Sequence, residues 1–187
     1  MKLKNIVILF SGEGTNLLNI IKTLHNQKCQ VRAAITNRPK AGGIAKAQAH
    51  NIPVSIVDHT NYESREAFDK ILLETINRYK PDLVIMAGFM RILTPVVTNN
   101  IKAINVHPSL LPLFKGGNAI VKSFESSETQ GGISVHWVSS ELDGGEVIAQ
   151  EAFKKSDNET LESFTQKIRQ LEHKLLPKTI VQILKAD

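Results

Sequence analysis

A chain of 187 residues, 42% hydrophobic and 22% charged, has the size and mix of one ordinary globular domain, which sets aside fibrous and low-complexity readings. Cys29 is the sole cysteine, so an internal disulfide and a cysteine metal cluster are excluded. The apolar run after Lys2 and Lys4 ends at Phe10, too short for a signal segment or a bilayer span, and the net charge of +5 is scattered, with no aromatic-interleaved basic run. These features predict a soluble, unprocessed cytoplasmic protein, monomer or homodimer. Nucleic acid and membrane are not expected partners; the positive charge suits solvated lysines or the steering of small anionic substrates.

In chain order, Asn5 to Phe10 reads as a buried strand, and Leu17, Ile20, Ile21 and Leu24 mark one face of a helix. Val31 to Thr36 reads as a strand, Ile44 to His50 as a short helix and Val54 to Val57 as a strand. Phe68, Ile71, Leu72, Ile76 and Tyr79 trace a second amphipathic helix. Leu83 to Gly88 and Ala103 to Val106 are further strands. Near-continuous apolar strands alternating with helices predict an α/β fold with a mostly parallel sheet, helices covering both faces. Ala119 to Ser126 reads as a helix. Ile133 to Val138 and Glu146 to Phe153 form a strand pair around a glycine-containing turn, an antiparallel addition at the C-terminal side. A closing helix begins near Asn158, and Pro177 should kink or interrupt it. The chain thus reads as one domain over 1–187.

Such a sheet places ligands outside the carboxyl ends of its strands. Three polar clusters fall there: "SGEGTN" after the first strand, "GFMR" after the fourth and "NVHPS" at the end of the fifth. In the first, Gly12 and Gly14 permit close backbone approach, and the free amides of a helix start favour an anion such as phosphate. The stretch is neither a dinucleotide fingerprint, since Leu17 stands where the third glycine belongs, nor a Walker loop. A tight strand-to-helix turn can also use glycine with no ligand, and Glu13 suits an anion site only if its side chain points away.

Asn105 and His107 lie at i and i+2, on one face of a strand. Together they can hold a carbonyl oxygen that gains charge during attack; the same pair would equally suit a capped strand end. Pro108 biases His107 toward extended backbone, and Pro112 restricts the exit, compatible with a cis Leu111–Pro112 bond. Asp143, in "ELDGGEV", sits in a strong turn signal and enters the chemistry only if that turn returns it to His107. Neither a serine elbow nor a metal-ligand spacing of the six histidines is present, so acid–base and electrostatic transfer chemistry without a metal is expected.

The segments "SGEGTN", "SREAFD", "PDLVIMAGFMRIL", "INVHPSLLP", "ISVHWV", "ELDGGEVI" and "LEHKLLP", in this order over nearly the whole chain, closely resemble the phosphoribosylglycinamide formyltransferases of purine biosynthesis. The resemblance implies a Rossmann-like formyltransferase fold, with an N-terminal nucleotide-binding half over 1–100 and a catalytic and folate-binding half over 101–187. It also implies transfer of a formyl group from 10-formyltetrahydrofolate, a cosubstrate, to the amine of 5'-phosphoribosylglycinamide. It assigns Asn105, His107 and Asp143 to catalysis. Gly12, Glu13, Gly14, Thr15 and Asn16 become the ribonucleotide phosphate loop, in which a polar residue such as Asn is common at the Glu13 position. Arg169 and Glu172 help to hold the ribonucleotide, although their i, i+3 spacing also suits a surface ion pair. Arg65, Met90, Arg91, Ile92 and Leu93 fall on the folate side, and His136 matches a histidine near the site. Leu113 to Ser134 departs from the family pattern, which predicts a loop of different shape or mobility. Competing readings are 10-formyltetrahydrofolate hydrolysis, methionyl-tRNA formylation, whose family adds a tRNA-binding domain, and a nucleotide- or folate-binding module without catalysis.

Overall fold

The computed structural model describes residues 3–186. Seven strands form one sheet: β1 (Asn5–Phe10), β2 (Gln30–Thr36), β3 (Val54–Ile56), β4 (Leu83–Met86), β5 (Ala103–His107), β6 (Gln130–Trp137) and β7 (Val147–Lys154). Around it lie α1 (Thr15–Leu24), α2 (Gly43–Gln48), α3 (Arg65–Arg78), α4 (Pro95–Thr98), α5 (Ala119–Glu125) and α6 (Leu161–Ala186). The strand order is β3-β2-β1-β4-β5-β6-β7. The first five are parallel, while β6 and β7 each run antiparallel to their predecessor. The expected α/β architecture with its antiparallel C-terminal addition is therefore what the chain forms.

Alternation along the central strand divides the core. Ile6, Ile8 and Phe10 join the cluster beneath α1, α2, α5 and α6, whereas Val7 and Leu9 join the cluster beneath α3 and α4. A strand buried on both faces has to be apolar at every position, as this one is. Gly131 makes room for the fully buried Phe164 of α6: a Cβ there would lie 2.5 Å from the ring. Burying such a side chain contributes about 1.5–3 kcal/mol.

Helix starts follow local chemistry. Ser64 caps α3, its hydroxyl accepting from the Ala67 amide at 3.1 Å, and Pro95 opens α4. The short α4 and a single 3-10 turn at His59–Asn61 lie outside the sequence reading, because three or four residues cannot display a period. The expected turn between β6 and β7 is a longer loop, 138–146.

Pro177 does not interrupt the closing helix, one of the two outcomes expected of it. Helix α6 runs through it without interruption to Ala186. Proline removes the amide that would have bonded to the carbonyl four residues earlier, that of His173. That carbonyl instead accepts from the Asn19 side-chain amide of α1 at 2.8 Å, so the vacancy is filled across the helix interface. Among the described residues, no helix is long and apolar enough to cross a membrane.

Candidate active site

Strand order reverses between β1 and β4, and a cleft of about 620 Å³ opens at the carboxyl ends of β1, β4 and β5. The crest is pinned by the Ser11 amide, which donates to Gly88 O at 3.0 Å. Residues from both halves of the chain line the cleft: Gly12–Asn16 and Met90–Ile92 from the first, Asn105, His107, Asp143, Arg169 and Glu172 from the second.

At one end, β1 turns into α1 through Gly14, whose φ of 68° is left-handed. A Cβ at Gly14 would stand 2.7 Å from the Gly43 Cα, so both conformation and space require glycine. The first intrahelical bond is Leu18 N to Gly14 O, which leaves the amides of the first turn open to the cleft. The Glu13 side chain is 79% exposed and lies beside Lys46, 3.4 Å from its ammonium. Asn16 donates from Nδ2 to Glu172 Oε2 at 3.1 Å, and its buried Oδ1 has no hydrogen-bond partner. Burial pushes the Glu172 carboxyl above its ordinary range; the Asn16 bond and nearby Arg169 pull the other way without cancelling it.

The other end is assembled from distant stretches. His107 Nε2 lies 2.8 Å from the Phe114 carbonyl, which can only accept, so Nε2 carries a proton. That bond turns Nδ1 toward Asp143 Oδ2 at 3.4 Å. Asn105 points its amide nitrogen at Asp143 Oδ1, 3.4 Å away, and at His136 Nε2, 3.1 Å away. His136 Nδ1 faces the Trp137 carbonyl at 2.9 Å, and its Nε2 stands 3.5 Å from Asp143 Oδ1, to which it donates when the ring is protonated. Asp143 accepts from the Gly116 amide at 2.8 Å as well. Burial pushes the Asp143 carboxyl up, but the His136 bond, the Gly116 amide and the two imidazoles outweigh it, and the net shift is below its ordinary range.

The loop geometry that permits this uses left-handed backbone in named places. Phe114, Gly116, Asn118 and Asp143 all have positive φ. A Cβ on Gly145 would lie 1.7 Å from the Trp137 carbonyl, so only glycine lets the 138–146 loop pass beneath His136. A register shift between Val135 and His136 in the β6–β7 ladder marks the same spot. The Leu111–Pro112 bond is cis.

On the far wall, Met90 and Ile92 are exposed apolar side chains at 64% and 46%, with Leu142 opposite at 43%. Arg65 donates from Nη2 to Ile92 O at 2.7 Å, and the Arg91 guanidinium lies over Phe68, 5.3 Å from the ring centre. Leu93 is buried in the second core cluster and reaches only a smaller cavity of about 80 Å³ beside Asn105 and His136. Among the described residues, no cluster of three or more His, Cys, Asp or Glu side chains could hold a metal ion. The sequence reading did not anticipate the Phe114 carbonyl, the Gly116 amide or Gly145. The first two are backbone groups with no residue-type signal, and the third was visible only as the second glycine of "DGG".

The profile of the formyl transferase family matches residues 4–180. The chain belongs to the formyl transferase family. It is 34% identical to the phosphoribosylglycinamide formyltransferase of Bacillus subtilis (strain 168) over 186 residues, which are 97% of this chain and 95% of that one. The solved phosphoribosylglycinamide formyltransferase of Campylobacter jejuni is 48% identical, with a TM-score of 0.94 and 97% of each chain covered. The trifunctional purine biosynthetic protein adenosine-3 of Bos taurus is 35% identical over 183 residues, but the match spans only 18% of its length. The chain thus spans 95–97% of these two formyltransferases and 18% of the trifunctional protein.

Proposed function

We propose that the protein transfers the formyl group of 10-formyltetrahydrofolate to the amine of 5'-phosphoribosylglycinamide, a step of purine biosynthesis. The observation that carries this reading is the meeting of Asn105, His107 and Asp143 in a cleft with an amide-lined anion loop at one end and an apolar wall at the other. Gly12–Asn16, Arg169 and Glu172 hold the ribonucleotide, its phosphate on the first-turn amides. Arg65, Met90, Arg91 and Ile92 hold the folate, with Leu93 supporting them from the core. The two chain halves, 1–100 and 101–187, form a single domain. We place the protein in the cytoplasm as a monomer or homodimer, with no nucleic-acid or membrane partner.

In this mechanism the neutral amine attacks the formyl carbon, and the carbonyl oxygen takes the developing negative charge. Asn105 Nδ2 donates to that oxygen, and so does the proton on His107 Nδ1, the ring atom that faces Asp143 Oδ2 in this structure because Phe114 holds Nε2. Asp143, held ionised by its donors, supports the charged imidazole and relays the amine proton through water to N10 of the folate. The carbon–N10 bond then breaks, releasing tetrahydrofolate and the formylated ribonucleotide. Substrate entry requires the Asn105 amide to exchange His136 or Asp143 for the formyl oxygen.

The test is an ultraviolet assay of folate product with purified protein. Product formed only when the ribonucleotide is present supports the reading. Product formed with water alone would make the protein a hydrolase, and folate binding without turnover would leave a binding module.

A further inference from the structure

The hydroxyl of Ser11 lies outside the catalytic cluster, yet it is 1% exposed and fully engaged. It accepts from the Met90 amide at 2.8 Å and donates to Asn37 Oδ1 at 2.5 Å. Asn37, also 1% exposed, is held in turn: His59 Nδ1 lies 3.0 Å from its carbonyl and 3.1 Å from its Nδ2. A buried relay thus runs from His59 at the surface, through Asn37 and Ser11, to the backbone of the segment after β4. That segment turns sharply at Gly88, whose φ is +75°, and then carries Met90 and Ile92, the exposed apolar side chains of the far wall. An isolated loop of this kind would be free to swing. Here its start is tied to β1 twice, by the Ser11 amide to Gly88 O and by the Ser11 hydroxyl to Met90 N, while Arg65 ties Ile92 O from the other side.

We infer that Ser11 is a positioning residue for the folate wall: its hydroxyl, aligned by Asn37 and His59, sets the height of Met90–Ile92 above the formyl-transfer centre. The inference rests on the formyl-transfer reading above and adds to it a residue that touches neither substrate. Its selectivity comes from the two separate ties. Replacing Ser11 by alanine removes the hydroxyl but keeps the backbone amide on Gly88 O, so the adjoining Gly12–Asn16 loop stays in place. The hydroxyl therefore acts on one wall of the cleft and not on the anion end, although it is next in sequence to the anion loop.

The experiment compares steady-state kinetics of the full chain and Ser11→Ala, with each substrate varied in turn. Loss of this buried bond should raise KM for 10-formyltetrahydrofolate about 10-fold, with kcat within about 3-fold and ribonucleotide KM within about 2-fold. Ser11→Thr, which keeps the hydroxyl, should restore folate KM. Hydrogen exchange should show the Met90 amide losing protection in Ser11→Ala. If the alanine variant does not fold, Ser11→Cys, similar in size and a weak hydrogen-bonding partner, carries the same test with a smaller rise of about 3-fold. Unchanged folate KM in a folded Ser11→Ala or Ser11→Cys, or an equal rise in both KM values, would overturn the inference. A parent protein with no formyl transfer at all would instead overturn the functional reading.

Discussion

The two ends of the cleft are built on different principles. The end assigned above to the phosphate is one unbroken stretch, Gly12–Asn16, and the groups proposed to bind there are backbone amides at the start of α1. The chemical end gathers side chains from β5, β6 and the 138–146 loop, and it is held by a carbonyl and an amide of the loop after β5. A site made of backbone would tolerate changes of side chain, and Glu13 here has its carboxylate turned toward Lys46. A site made of side chains depends on each one and on every loop that aims it. The carboxylates of the two ends differ in the same sense: burial raises Glu172, while donors lower Asp143.

The contrast can be broken most directly at the chemical end. His107→Ala is expected to lower kcat by about 100- to 10,000-fold, and Asn105→Ala by about 100- to 1,000-fold, with circular dichroism unchanged. Near-normal turnover in both would remove them from the chemistry. Gly145→Ala comes next: the new methyl must displace the Trp137 carbonyl that orients His136, so a loss of about 1–3 kcal/mol in urea unfolding and a fall in kcat should appear together. Stability lost without any fall in kcat would show that His136 needs no such aim.

Smaller effects test the anion end and its supports. Asn19→Ala leaves the His173 carbonyl without the partner that replaces the amide missing at Pro177, at a cost of about 1 kcal/mol in the same unfolding assay. Glu172→Gln separates stability from binding. A carboxyl raised above its ordinary 4.5 favours the neutral acid in the fold, so its contribution is complete below pH 4.5 and is lost as pH rises through the raised value. The glutamine variant cannot ionise and should melt higher than the parent at pH 7, converge with it in acid, and show a higher ribonucleotide KM. Asp143 has the opposite sign: its contribution is present above 3.8 and disappears as pH falls through its lowered value. Glu13→Ala is expected to have the smallest effect, with ribonucleotide KM within about 2-fold, because its side chain is an exposed partner of Lys46. A tenfold change would mean that the anion end is not a backbone site.

Legibility in the sequence follows the same division. All seven strands and the longer helices were readable, because burial on two faces leaves an unbroken apolar run such as Ile6–Phe10 and burial on one face leaves a helical period such as Phe68–Ile76. The Asn105–His107 pair and the glycines of the anion loop were readable because each lies within a few residues of its partners. Asp143 could be named only with its return to His107 left open, and the Phe114 and Gly116 backbone groups could not be named at all. That the helix continues through Pro177 was not readable for a related reason: the compensating donor, Asn19, is 158 residues away.

By itself, then, the amino-acid order determined the parallel α/β frame, the amide-rich turn after β1 and the identity of the groups able to do chemistry, since these depend on periodicity and on neighbours along the chain. Only the tertiary structure decided which nitrogen of His107 faces Asp143, that Asp143 meets Asn105 and both histidines, and that the Ser11 hydroxyl holds the Met90 amide. Those outcomes rest on hydrogen-bond directions between segments brought together by sheet order and loop path, and no local pattern encodes a direction in space.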